Sequence, residues 1–171
     1  ITKLMTAVVA SENLDVDAKI TISESMLSVE GLSGNLKIGE KYTAWDLIRA
    51  MLTVSSNDAS EALAQTYEKT VLTAEQFKGA LSKHANFVEK MNEQARLLGM
   101  PNTIYGDPSG LSMTSQSTAG DLYKLILYIS ARHPDLLKIT RTKIATITDF
   151  KTMRRTALVN INQLAGTADF I

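Results

Sequence analysis

The chain is predicted to be α+β and mainly helical, on three observations. Capping pairs, a threonine with an acidic or amide residue three positions later, occur at Thr43/Asp46, Thr73/Gln76 and Thr118/Asp121. Each stands before a run whose apolar residues recur at helical spacing. Period-two alternation is confined to two short stretches, Lys19 to Ile22 and Lys143 to Thr148, so strands are few.

Taken in order, Ile1 to Asn13 places Ile1, Leu4, Met5, Val8 and Val9 on one face, which predicts a mostly buried helix. Between Asp15 and Lys41 the pattern breaks into one short strand and a loop, with Gly31, Gly34 and Gly39 at turn positions. Thr43 opens a second helix carrying Trp45, Leu47, Ile48, Met51 and Leu52, expected to end near Val54. Ser55, Ser56 and Asn57 interrupt the apolar pattern. Asp58 is then expected to cap a short helix through Ala59, Ala62, Leu63 and Tyr67.

The Thr73/Gln76 pair opens one long amphipathic helix from Ala74 to Leu98, stopped by Gly99 and Pro101. Asp107, Pro108, Ser109 and Gly110 form a turn. Thr118 then starts a helix with Leu122, Leu125, Ile126 and Ile129, closed by Pro134. A strand is expected over Lys143 to Thr148, and Ala157 to Ile171 is too mixed to assign.

Composition excludes several functions. In 171 residues, 44% are apolar and 21% charged, the balance of a folding chain. Lys plus Arg is 18 and Asp plus Glu is 18, so no net field draws nucleic acid or an anionic membrane. The basic clusters Arg141 to Lys143 and Lys151 to Arg155 lack interleaved aromatics, so no nucleic-acid partner is expected. There is no cysteine, hence no disulfide and no thiolate chemistry. No metal or cofactor is expected either. His84 and His133 read as exposed helix and helix-end residues, Met51, Met91, Met100 and Met113 as core or boundary, and no glycine-rich phosphate loop is present.

No stretch reaches the roughly 18 apolar residues of a membrane span, and the first residues carry no export signal. Any membrane association or export is therefore expected to depend on segments outside these residues. Ile1 opens inside a periodic apolar pattern with no cap before it, so the natural start is expected to lie upstream.

Three ordered motifs carry chemistry or identity. Ile1-Thr2-Lys3 would complete a Ser-x-x-Lys pattern if a serine preceded Ile1. Residues i and i+3 share a helix face, so the lysine amine would lie beside the serine hydroxyl. A buried amine pushed toward neutrality can remove the hydroxyl proton. Ser55-Ser56-Asn57, between two predicted helices, supplies a hydroxyl able to relay a proton and an amide able to hold both an amine and a carbonyl. The third run is Leu97-Leu98-Gly99-Met100 with Asn102-Thr103, Asp107-Pro108-Ser109-Gly110-Leu111, and Ser117-Thr118-Ala119 with Asp121-Leu122. It consists of a helix stop, a turn and a helix cap, and is read as scaffold.

In residues and spacing these motifs resemble the penicillin-binding, serine-type D-alanyl-D-alanine carboxypeptidase and endopeptidase family over nearly the whole chain. The resemblance implies a β-lactamase/transpeptidase-like fold, a helical cluster paired with an antiparallel sheet, of which residues 1–171 form largely the helical part. The chain is expected to begin just after the nucleophilic serine and to end before the Lys-Thr-Gly strand, with Asn160 and Asn162 in the polar stretch that precedes it.

Implied catalytic residues are Lys3, Ser55 and Asn57. Implied partners are peptidoglycan stem peptides ending in D-Ala-D-Ala, cleaved through an acyl-serine, and β-lactams in the complete enzyme. The implied location is exported, on the periplasmic or extracellular face of the bacterial cytoplasmic membrane. The parent protein is read as a carboxypeptidase, with a D,D-endopeptidase or a non-catalytic structural unit as alternatives, and the chain by itself is expected to perform no turnover. A class A β-lactamase is disfavoured, because no Glu-x-x-Leu-Asn segment follows Asn57 and Ser56 stands where those enzymes usually carry Asp.

Overall fold

A computed structural model describes residues 1–31, 33–79 and 82–167. Seven α-helices, a 3-10 turn at Glu24–Leu27 and two short antiparallel strand pairs occur among them: α1 Thr2–Asn13, β1 Lys19–Thr21, β2 Lys41–Thr43, α2 Ala44–Val54, α3 Asn57–Val71, α4 Ala74–Gly79, α5 Ala85–Leu97, α6 Ala119–Arg132, α7 Pro134–Arg141, β3 Ile144–Asp149 and β4 Arg154–Val159. The mainly helical α+β expectation holds.

Helix α1 runs through the core. Every residue from Met5 to Ala10 is buried, packed with Leu47, Ile48 and Met51 of α2, Ala59, Ala62 and Leu63 of α3, Phe87 and Met91 of α5, and Leu125 and Ile129 of α6. Each fully buried large side chain contributes on the order of 2 kcal/mol of transfer free energy, so this shared cluster fixes the position of the first turn of α1. On the other side of α2 lies the β3–β4 hairpin, registered from Ile144↔Val159 to Asp149↔Arg154, while β1 pairs with β2.

The three threonine caps form as expected, with differences in what their partners do, and a fourth differs. Thr43 accepts the Asp46 N–H at 3.0 Å, but the Asp46 carboxylate does not close the box. It takes the Thr148 N–H at 3.1 Å and Arg49 at 3.0 Å, tying α2 to β3. The α3 cap is Ser56, not Asp58: its Oγ accepts the Ala59 N–H at 3.2 Å, a contribution of about 1 kcal/mol. That helix is also long, ending at Val71.

The expected single helix from Ala74 to Leu98 is instead two. Thr73 and Gln76 do exchange reciprocal bonds at 2.9 and 3.2 Å, yet α4 ends at Gly79 and α5 starts at Ala85; residues 80 and 81 lie outside the described residues. The second start is fixed from α3, where the buried Glu68 carboxylate accepts the Phe87 N–H at 2.9 Å and the Asn86 amide at 2.7 Å. A carboxylate at a helix N-terminus satisfies otherwise orphaned donors and suits the helix dipole.

Two further elements escaped the sequence reading. Pro134 closes α6 and also opens α7 at its first position, and Arg154–Val159 forms the partner of β3. Of the stretch left unassigned, residues 168–171 lie outside the described residues. Met51, Met91 and Met100 are in the core, whereas Met113 is fully exposed.

Candidate active site

Lys3 stands in the first turn of α1. Its Nζ donates to Asn57 Oδ1 at 2.7 Å, across 54 residues of sequence, and to the Ser109 carbonyl at 2.7 Å. Burial draws the ammonium below its ordinary range, and the negative charge of Asp107 partly opposes that. The result is an amine poised closer to neutrality than a surface lysine.

Asn57 is the first residue of α3 and is held at both ends. Its Nδ2 donates to the Glu30 carbonyl at 2.6 Å while Oδ1 accepts Lys3. A lysine can only donate and a carbonyl can only accept, so these two partners fix the amide orientation. The loop before β2 closes over this point. Gly31, at φ +93°, leaves space that a Cβ would occupy 3.0 Å from Asn57 Nδ2, and at Gly34, φ +99°, a Cβ would lie 3.2 Å from Ser56 Oγ. Both positions need glycine for a left-handed backbone and for close approach.

Ser55 caps the C-terminus of α2 with φ 57° and ψ 37°, a conformation that costs a non-glycine residue roughly 1 kcal/mol or more. Among the described residues its hydroxyl makes no hydrogen bond to Lys3 or Asn57. Next to Asn57, Asp58 is buried with Oδ1 unpartnered among the described residues, and burial pushes its carboxyl up to about 6.

The run read as scaffold also contributes. Besides Ser109 accepting Lys3, the Pro108 carbonyl accepts the buried Thr6 hydroxyl at 2.6 Å, one turn further along α1. Gly110, at φ +89°, brings the turn so close that a Cβ would lie 3.0 Å from Thr2 Oγ1. Sequence reasoning missed Thr6, Pro108 and Ser109. Two of these act through backbone carbonyls, which every residue has, so side-chain identity held no signal.

The histidines are not solitary surface groups. His84 Nδ1 lies 3.0 Å from Glu61 and His133 Nε2 lies 2.7 Å from Glu12, carboxylates that are distant in sequence. Among the described residues no group of three potential metal ligands occurs, and no helix is long and apolar enough to cross a membrane. Asn160 ties the end of β4 to the end of α7 through the Thr140 and Thr142 carbonyls, both at 3.0 Å.

A family model described as D-alanyl-D-alanine carboxypeptidase matches residues 1–169. The chain belongs to that family. A D-alanyl-D-alanine endopeptidase of Pseudomonas aeruginosa is 35% identical over 150 residues, 86% of this chain and 44% of the relative. Among solved structures, a D-alanyl-D-alanine carboxypeptidase of Mycobacterium tuberculosis superposes with a TM-score of 0.77 at 27% identity, over 98% of this chain and 58% of that one. Penicillin-binding protein D2 of Listeria monocytogenes, in its ampicillin-bound form, gives 0.73 at 28% identity over 97% and 62%. The chain therefore spans about half the length of these relatives, and its fold is the mainly helical part of the penicillin-binding fold.

Proposed function

We propose that the whole protein is a serine-type D-alanyl-D-alanine carboxypeptidase acting outside the cytoplasm on peptidoglycan stem peptides, and that residues 1–171 supply the helical part of its transpeptidase-like domain. The observation that carries this reading is the hydrogen bond from Lys3 to Asn57, which joins the two motifs in one part-buried spot. A serine immediately before Ile1 is the nucleophile in this scheme. Lys3, drawn toward neutrality by burial, takes the hydroxyl proton as the oxygen attacks the carbonyl of the penultimate D-alanine.

The C–N bond then breaks, and the departing D-alanine amine receives a proton relayed by Ser55. Asn57 holds the lysine amine and the substrate carbonyl. Water hydrolyses the acyl-serine, and a β-lactam acylates the same oxygen. A D,D-endopeptidase is the second reading, favoured by the 35% identity to the Pseudomonas enzyme of that name.

The test uses the full-length protein with a fluorescent penicillin, a linear pentapeptide ending in D-Ala-D-Ala and a cross-linked muropeptide. Penicillin labelling with D-alanine release from the pentapeptide is expected, and Lys3→Ala is expected to slow labelling about a thousandfold. Cleavage of the cross-linked substrate alone selects the endopeptidase. Labelling that survives in Lys3→Ala overturns the assigned base.

A further inference from the structure

The turn that meets Lys3 is organised by one carboxylate. Asp107 Oδ2 accepts the backbone N–H groups of Ser109 at 3.1 Å, Gly110 at 2.9 Å and Leu111 at 3.0 Å, together with the Ser109 hydroxyl. Its Oδ1 accepts the Ser112 N–H at 3.2 Å. With the N–H groups gathered inward, the carbonyls of Pro108 and Ser109 are left for α1, where Thr6 and Lys3 donate to them at 2.6 and 2.7 Å. One side chain thus sets the curvature of the turn, the direction of the carbonyl on the amine, and a negative charge near that amine.

We propose that Asp107 is a positioning residue for the reaction: it holds the turn whose Ser109 carbonyl keeps Lys3 against Asn57, and it supplies the negative charge that the Lys3 amine experiences. The inference rests on reading Lys3 as the group that takes the hydroxyl proton. Among the described residues the charge acting on Lys3 is that of Asp107, from the turn, while Asn57 and Ser109 present neutral oxygens. His84 also lies in the field of Asp107 but is paired with Glu61.

Burial opposes ionisation of Asp107, yet the bonds from Ser109, Leu111 and Ser112 hold its carboxyl below the ordinary range. It is therefore charged wherever the enzyme would work. Burial lowers Lys3 and the Asp107 charge raises it, so removing that charge must lower Lys3 further.

Asp107→Asn removes the charge while an amide oxygen can keep the Oδ2 bonds, and it loses the Ser112 bond because its NH2 would face that N–H. In the full-length protein, penicillin acylation is measured across pH, and Lys3 is titrated by NMR of 13C-labelled lysine. The D107N variant, checked by circular dichroism, is expected to move the acid limb and the Lys3 titration down by on the order of half a pH unit. The plateau rate should fall roughly tenfold. Asp107→Glu keeps the charge but misplaces the turn, so it should slow the plateau with the limb in place.

A limb that does not move in D107N, or a plateau equal to wild type, overturns the proposal. If D107N does not hold its fold, D107E decides, and a wild-type plateau there overturns the proposal. Absence of acylation in the wild-type protein would remove the catalytic reading instead, and the NMR titration of Lys3 would still decide the role of Asp107.

Discussion

Glu68, buried on α3, accepts the backbone N–H of Phe87 at the start of α5, 19 residues further along the chain, at 2.9 Å. Its second oxygen accepts the Asn86 side-chain amide at 2.7 Å. Phe87 is itself fully buried and meets Tyr67 edge-on at 5.6 Å between ring centroids, so this one carboxylate sets both where α5 begins and how its first turn packs.

Glu68→Ala would leave the Phe87 N–H and the Asn86 amide without their acceptor in a buried place. It is expected to destabilise the protein by about 3 kcal/mol, read as a lower urea midpoint. Glu68→Gln keeps one acceptor oxygen and should lose less. An alanine variant as stable as wild type would mean that α5 starts where it does for local reasons.

His84 contributes a pH dependence at the same junction. The hydrogen bond to Glu61 raises its ionisation above the ordinary value of 6.5, against burial, with the charges of Glu61, Asp107 and Glu68 adding to the rise. A raised histidine stabilises fully below its unfolded value and loses that contribution as pH rises through the folded value. Wild type minus His84→Gln stability should therefore be largest below about pH 6.5 and shrink above it. Thermal melts from pH 5 to 9 check this, and a difference that grows with pH would refute the pairing.

Asp149 gives the opposite sign. Burial works against its charge, but bonds from the Lys41, Lys151 and Thr152 N–H groups and the Thr152 hydroxyl bring its carboxyl down to about 2. Those bonds run from 2.6 to 3.2 Å and join the β3–β4 turn to β2. A lowered carboxylate stabilises above its unfolded value, here 3.8, and the contribution fades as pH falls through the folded value. Asp149→Asn should be less stable than wild type at neutral pH, with the gap closing between about pH 4 and pH 2.

Asn57 joins Lys3 to the glycine loop, so two substitutions should weaken the same proposed function from different sides. Asn57→Ala removes the Lys3 acceptor and the Glu30 donor, and should slow penicillin acylation of the full-length protein roughly a hundredfold. Gly31→Ala leaves Asn57 intact but places a Cβ 3.0 Å from its Nδ2 in a left-handed backbone. It should slow acylation less, with a modest loss of thermal stability. Equal rates in G31A and wild type would mean that the loop does not restrain Asn57.

What the sequence determined by itself is local or ordered along the chain. Thr43, Thr73 and Thr118 mark helix starts because the hydroxyl meets an N–H only three residues on. Lys3, Ser55 and Asn57 stand out in the sequence because a lysine, a serine and an amide at those spacings resemble a family pattern, and of these Lys3 meets Asn57. The tertiary structure decided what depends on partners far along the chain. The start of α5 belongs to Glu68, the Asp46 carboxylate to β3, and the carbonyl on Lys3 to a turn shaped by Asp107. A pattern of side chains encodes bonds between neighbours in sequence. It does not encode which distant backbone group a buried carboxylate will meet, because only packing of the shared core brings the two together.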